Sequence, residues 1–217
     1  MATVMLAVLL GLGTWQVQRL HWKQGLLAQI ARAEAAPPVP LPAEPEPYAK
    51  VQATGRLRED LAALYGAEVR DLPTGPELGA QLIVPLERQG QATILVDRGW
   101  VPGSRPRPIA QPNGDVTLEG YIRPADKPGL FSATDDPVSR RFYTLDPEAI
   151  GAAIGLPHVA PFTLIAMGPA PREGFPDPAK HLPQPPNNHL SCAITWYGLA
   201  VALVVIFVLW ARKVLTA

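Results

Sequence analysis

No charged side chain occurs from Met1 to Gln18, and none from Leu190 to Ala211. Apolar residues fill both stretches, and each predicts a helix able to cross a bilayer. The second is the clearer of the two, because Leu190 to Trp210 is 21 residues long and closes on Arg212 and Lys213 at a water boundary. The first, at about 1.5 Å per residue, reaches roughly 27 Å, which is sufficient to span. A cleaved signal peptide fits it poorly, since no basic residue precedes the apolar run and no A-x-A-like site follows it. Beyond Gln18, Trp22, Leu26 and Ile30 recur at i+4 spacing on one face, so the helix is expected to continue outward to Ala35.

Between these segments the period changes. From Tyr48 to Met167 short apolar runs are broken by Gly and Pro, the pattern of several strands. The candidates are Val51 to Gly55, Ala62 to Val69, Gln81 to Leu86, Thr93 to Val96, Val116 to Ile122 and Phe162 to Ala166. Asp146-Pro147-Glu148 reads as an N-cap, a proline at the first helical position and an acidic first turn, opening a short helix with Ile150 and Ile154 on one face. The expected fold class is a membrane protein in which N- and C-terminal transmembrane helices flank a β-rich α+β extramembrane domain, antiparallel in type. Its divisions are a first span at 1–18, a helical extension and Pro-rich linker at 19–47, the β-rich domain at 48–168, a second Pro-rich linker at 169–188, the second span at 189–211 and a short cytoplasmic tail at 212–217.

Composition sharpens this plan. Of 26 prolines, six lie between Pro37 and Pro47 and seven between Pro169 and Pro186, so half of them sit beside the spans, where stiff polyproline segments would act as spacers. Lys and Arg number 19 against 19 Asp and Glu, which removes the basic excess that nucleic-acid binding requires. Cys192 is the one cysteine, so no disulfide, zinc cluster or CxxC pair forms within the chain. Neither GxGxxG nor a P-loop is present. Orientation is not decided by charge, because a loop this long translocates largely regardless of it.

The chemistry-bearing residues are few. Among His21, His158, His181 and His189, only His189 stands at the mouth of a membrane helix, where a neutral ring with a lone pair for a metal is the favoured form. Trp196 follows two turns later on the same face, with Ala193 leaving room between them for a flat apolar ligand. Metal ligation and plain interfacial anchoring both satisfy this spacing. Trp15 and Trp22 around Arg19 are equally compatible with an anchoring belt. Asp97-Arg98-Gly99-Trp100-Val101-Pro102 reads as a structural corner. A hydrolytic Asp97, His158 and Ser104 lacks any GxSxG-type setting, so the chain is not expected to be an enzyme.

Three stretches carry a family resemblance: Leu12-Gly13-Thr14-Trp15-Gln16 with Arg19 and Trp22-Lys23, then Val96-Asp97-Arg98-Gly99-Trp100-Val101-Pro102, then Asn188-His189-Leu190 through Thr195-Trp196-Tyr197-Gly198. In order and spacing, over nearly the whole chain, they resemble the surfeit locus protein 1 family, the Shy-type assembly factors of cytochrome oxidase. The chain departs from that pattern in having Asp97 where Asn is frequent and Cys192 where Tyr is frequent. The resemblance implies a membrane protein whose central domain faces the periplasm or the intermembrane space. The lack of an Arg-rich, acid-poor presequence leads to the expectation of a bacterial plasma-membrane protein with a periplasmic main domain, in preference to the mitochondrial inner membrane. The resemblance also implies haem a as bound cargo and His189 as axial ligand to the haem iron. With the end of the first span and the start of the second at one membrane boundary, Trp196, Trp15, Arg19, Trp22 and Lys23 are the expected cofactor-binding surround, with Arg19 or Lys23 on a propionate. A second axial ligand is either absent or supplied by His181 or His21. Implied partners are haem a synthase as donor, oxidase subunit I as recipient and the lipid bilayer. The alternatives are a scaffold that stabilises a subunit I intermediate without haem and, more distantly, a membrane-anchored hydrolase.

Overall fold

A computed structural model of the chain describes residues 1–104, 109, 112, 114–129, 132–156, 158–171 and 174–216. In chain order its elements are α1 (Ala2–Ala35), β1 (Val39–Pro40), β2 (Lys50–Leu57), β3 (Ala63–Leu72), β4 (Gly75–Glu87), β5 (Thr93–Pro102), β6 (Asp115–Pro124), β7 (Arg141–Phe142), α2 (Pro147–Ala153), β8 (Val159–Ala166) and α3 (His189–Leu215). They divide into two units: Met1–Arg32 with Pro183–Ala217, and Ala33–Leu182.

The second unit is a β-barrel. Hydrogen-bonded neighbours run β2–β6–β8–β5–β4, and the far end of β4 returns to β2 through Arg56↔Glu87 and Leu57↔Leu86, which closes the ring. Gly55 makes that closure possible, since a Cβ there would stand 2.3 Å from the Glu87 carbonyl oxygen. Alternate residues of β2 point inward, placing Val51, Ala53 and Leu57 in one apolar core with Val84, Leu86, Ile94, Val96, Ile122 and Leu164. All six strand expectations fall on barrel strands or on β3. The two-residue β1 and β7 were not expected. The sheet is mixed, not antiparallel: β5 pairs β8 in parallel, as β1 pairs β2 and β7 pairs β3. The parallel β5–β8 pair is possible because the chain from β6 returns through α2 before entering β8. In α2, Asp146 accepts the Glu148 N–H at 3.0 Å and Pro147 occupies the first turn, while Ile150 and Ile154 are buried.

Within the barrel unit, which ends at Leu182, the proline-rich segments are laid along the barrel and are not free-standing spacers. Val39 and Pro40 add an edge strand to β2, Pro40 sitting where no ladder donor is needed, and the Leu41 N–H donates to Gln52 O at 2.9 Å. On the opposite side Trp100 and Asp177 exchange backbone hydrogen bonds at 3.0 and 2.9 Å, and the Ala179 N–H donates to Ala166 O at 3.1 Å. The two segments meet at Glu34, whose Oε2 accepts the Leu182 N–H at 2.8 Å while its carbonyl accepts Lys50 Nζ at 2.7 Å. Leu182 is buried, so its N–H has no easy substitute partner. Glu34→Ala is therefore expected to destabilise this unit by about 1 to 2 kcal/mol in denaturant unfolding, and an unchanged midpoint would show the clasp to be idle.

The helix α1, which belongs to the first unit as far as Arg32, is unbroken over 34 residues, about 51 Å. Ile30 is buried and Leu26 half-buried, but Trp22, expected on their face, is 57% exposed. Its ring is held by Arg19 instead. Among the described residues, α3 is the helix both long and apolar enough to cross a membrane. Ile194, Leu199, Val204, Ile206 and Phe207 stand exposed around its circumference, a distribution suited to lipid and costly in water.

Candidate functional site

The site is built where the first unit's two helices touch. Gly13 of α1 lies under the Tyr197 ring of α3, with a would-be Cβ 2.9 Å from the ring carbon Cε1, so only glycine allows this approach. One residue on, Thr14 Oγ1 donates to Leu10 O at 2.9 Å and stands 3.1 Å from the Tyr197 hydroxyl. The threonine proton being used within its own helix, the tyrosine hydroxyl is the donor across the pair. Half a turn further out, the half-buried His189 donates from Nδ1 to Gln16 Oε1 at 2.7 Å. Gln16 is itself half-buried.

His189 is the first residue of α3. Its predecessor Asn188 supplies the carbonyl that the Cys192 N–H and the Ser191 hydroxyl engage, at 3.2 and 2.8 Å, so the helix begins abruptly and fixes the backbone from which the imidazole projects. Trp196 is half-buried and, seven residues on, shares the His189 face. Ala193 between them is only 2% exposed, so the gap that the spacing suggested is filled. A flat ligand has no seat over that alanine.

The remaining candidates of α1 fall in two groups. Trp15, Arg19 and Trp22 form a stack of their own, the Arg19 guanidinium lying 6.0 Å from one ring centre and 4.9 Å from the other. At 100° per residue this stripe is about a quarter turn around the helix from Gln16. Lys23, half-buried, follows Gln16 by seven residues and shares its face about 11 Å along the axis. His21 is exposed on α1, and His181 belongs to the barrel unit, where its ring is 74% exposed and 4.0 Å from Glu34.

A second polar cluster lies in the barrel unit. A cavity of about 210 Å³ is bounded by Asp97, Tyr65, Tyr121 and Arg123 among others. Asp97 is 5% exposed and its Oδ1 accepts the Gly99 N–H at 2.9 Å. Burial pushes its carboxyl up to about 6, opposed by that N–H and by Arg123 and Arg70. Burial likewise pushes Tyr121 up to about 12. Arg123 is engaged by Asp126 at 2.7 Å and by the Tyr65 hydroxyl at 3.1 Å, and Arg70 by Asp177 at 2.9 Å.

The SURF1 family model matches residues 3–201. The chain belongs to the SURF1 family. Relatives include a SURF1-like protein of Rickettsia felis, 31% identical over 96% of this chain and 94% of its own length. The SURF1-like protein of Monosiga brevicollis is 31% identical over 95% and 84% of the two chains. Surfeit locus protein 1 of Homo sapiens is 30% identical over 94% and 73%.

SURF1-family members are known in general as oxidase assembly factors, and are not named as enzymes. In this member the residues of the hydrolytic alternative lie apart. His158 precedes β8 at the level of Thr93, whereas Ser104 follows the other end of β5, a separation on the order of 30 Å along the strand. The Ser104 N–H donates to Glu77 Oε1 at 3.0 Å. Sequence reasoning missed Gln16 as a partner of His189. The available signal was a strong hydrogen-bonding side chain within eighteen uncharged residues, a placement that usually has a named partner.

Proposed function

We propose that this SURF1-family chain is a cytochrome oxidase assembly factor that binds haem a at the membrane interface and aids its delivery to oxidase subunit I, taking it from haem a synthase. In this reading residues 1–18 and 189–211 cross the bacterial plasma membrane, and the barrel unit is periplasmic. The single observation that carries it is His189, half-buried at the head of an apolar helix and tied to a second helix.

The donor set suits haem better than a bare ion. A free transition metal asks for three or four protein ligands, and among the described residues no cluster of three His, Cys, Asp or Glu offers them. A porphyrin brings four nitrogens of its own and asks one imidazole of the protein. The boundary of a membrane span also meets the needs of a molecule with an apolar tail and two carboxylates. Arg19 or Lys23 would pair with a propionate, and Trp15, Trp22 and Trp196 would supply apolar surface. Since Ala193 is covered, the macrocycle would approach His189 from the lipid side, not from between the helices.

That same closure favours the scaffold reading, in which the helices and barrel hold a subunit I intermediate without cargo. Co-expression with the haem a pathway separates them. The wild-type chain is expected to purify with a haem spectrum and His189→Ala to purify folded with its pigment near background. A colourless wild type that still captures subunit I would replace the carrier by the scaffold.

A further inference from the structure

Gln16 lies on the face of α1 that meets α3, one residue from the exposed Trp15–Arg19–Trp22 stripe, and its amide oxygen is 2.7 Å from His189 Nδ1. An amide oxygen has no proton to give, so in this pair Nδ1 must be the donor. A neutral imidazole has one N–H, and placing it on Nδ1 leaves the only lone pair on Nε2. We infer that Gln16 is a positioning residue: its Oε1 holds His189 in the Nδ1–H tautomer and fixes the ring, so that Nε2 is the nitrogen offered to a metal.

Physical necessity supports this choice of partner. His189 opens a helix, and its ring has few rotamer restraints from the preceding turn, because there is no preceding turn. Without a fixed acceptor both tautomers would be populated and the ring would rotate about χ2, which is broad for such side chains. One hydrogen bond from a second helix removes both freedoms. Histidine ligands commonly donate their second N–H to an outer partner, and losing that partner costs about 10- to 100-fold in metal affinity. The contact also couples the site to helix pairing. Gly13 and Thr14 hold Tyr197, about two turns beyond His189 on α3, so Gln16 reaches His189 only while α1 and α3 stay in register.

The metal-binding consequence rests on the proposed haem reading, but the tautomer does not, and the test uses that separation. The full chain, labelled with ¹⁵N at histidine and kept free of haem, is examined by long-range ¹H–¹⁵N correlation, which distinguishes Nδ1–H from Nε2–H. Wild type is expected to show His189 as Nδ1–H, Gln16→Leu a mixture of tautomers, and Gln16→Glu, which retains an acceptor oxygen, the wild-type form. In haem titration Gln16→Leu should bind about 10- to 100-fold more weakly and Gln16→Glu should recover most of the loss. A wild-type Nε2–H tautomer, or a Gln16→Leu spectrum identical to wild type, overturns the inference. Haem affinity unchanged in Gln16→Leu overturns its metal-directed part. Should the tautomer shift as expected while no form takes up haem, the positioning role stands and the haem reading falls.

Discussion

Gly99→Ala is expected to lower the stability of the barrel unit by about 3 to 5 kcal/mol, from backbone strain plus two lost main-chain hydrogen bonds. Gly99 sits in β5 at φ +116°, outside the range that an L side chain adopts easily. Space forbids it as well, because a Cβ would lie 2.2 Å from the Asp177 carbonyl oxygen and 2.6 Å from Pro178 Cα, both backbone. Either β5 or the proline-rich segment must yield. Yielding breaks the reciprocal Trp100–Asp177 pair and opens the cover over Trp100, which is 1% exposed and makes an edge contact with Phe175 at 5.7 Å. A matched control is Gly90→Ala, where φ is +68° but nothing lies within 4 Å of the new carbon, so only about 1 to 2 kcal/mol of conformational cost is expected. Denaturant unfolding compares the two, and amide exchange at Asp177 reports the segment directly. Equal losses in both variants would mean that the crowding at Gly99 relaxes freely, against the idea that this motif fastens the second proline-rich segment.

The motif around Gly99 also shows where sequence reading succeeds and where it stops. Asp97 bonding the N–H two residues on, with glycine at positive φ, is local chemistry readable from three adjacent letters, but β5 runs on to Pro102, so the expected corner is a bulge inside the strand. What the bulge grips is Asp177, eighty residues away in sequence, and no local pattern points to it. The same division runs through the fold. Barrel strands with alternating or continuous apolar positions are visible one by one. The parallel β5–β8 pairing, the Gly55 closure and the docking of the proline-rich segments are decided by non-local fit. Proline content predicts a stiff segment but says nothing about which surface that segment lies on. At the candidate site, His189 could be singled out because a helix mouth is a special place along the chain. Gln16 could not be matched to it, since their meeting depends on how two helices, 173 residues apart at this point, come into register. Ala193 misled for the same reason: a small residue leaves room for a ligand or for packed protein, and here it is covered in the folded chain.

Asp97→Asn should make the protein more stable at neutral pH and leave it unchanged in acid. The carboxyl is nearly enclosed, and burial raises it from 3.8 to about 6 despite the Gly99 N–H and the more distant Arg123 and Arg70. The sign then follows from proton binding. Between these two values the folded state holds a proton that the unfolded chain has released, so the contribution of Asp97 to stability is fully present below about pH 4 and is lost as pH rises through about 6. Above that, keeping the ionised group in the cavity costs about 3 kcal/mol. Asparagine retains an oxygen for the Gly99 N–H and carries no charge, so the bulge survives while the penalty disappears. The expected gain is up to about 3 kcal/mol at pH 7.5, shrinking to nothing near pH 4, read as the difference between wild-type and variant unfolding free energies across that range. Other titrating groups, common to both chains, cancel in the difference. A gap that stays constant with pH, or a variant less stable at pH 7.5, would mean that the cavity already satisfies the charged carboxylate, and that Asp97 is held there as an anion by Arg123 and Arg70.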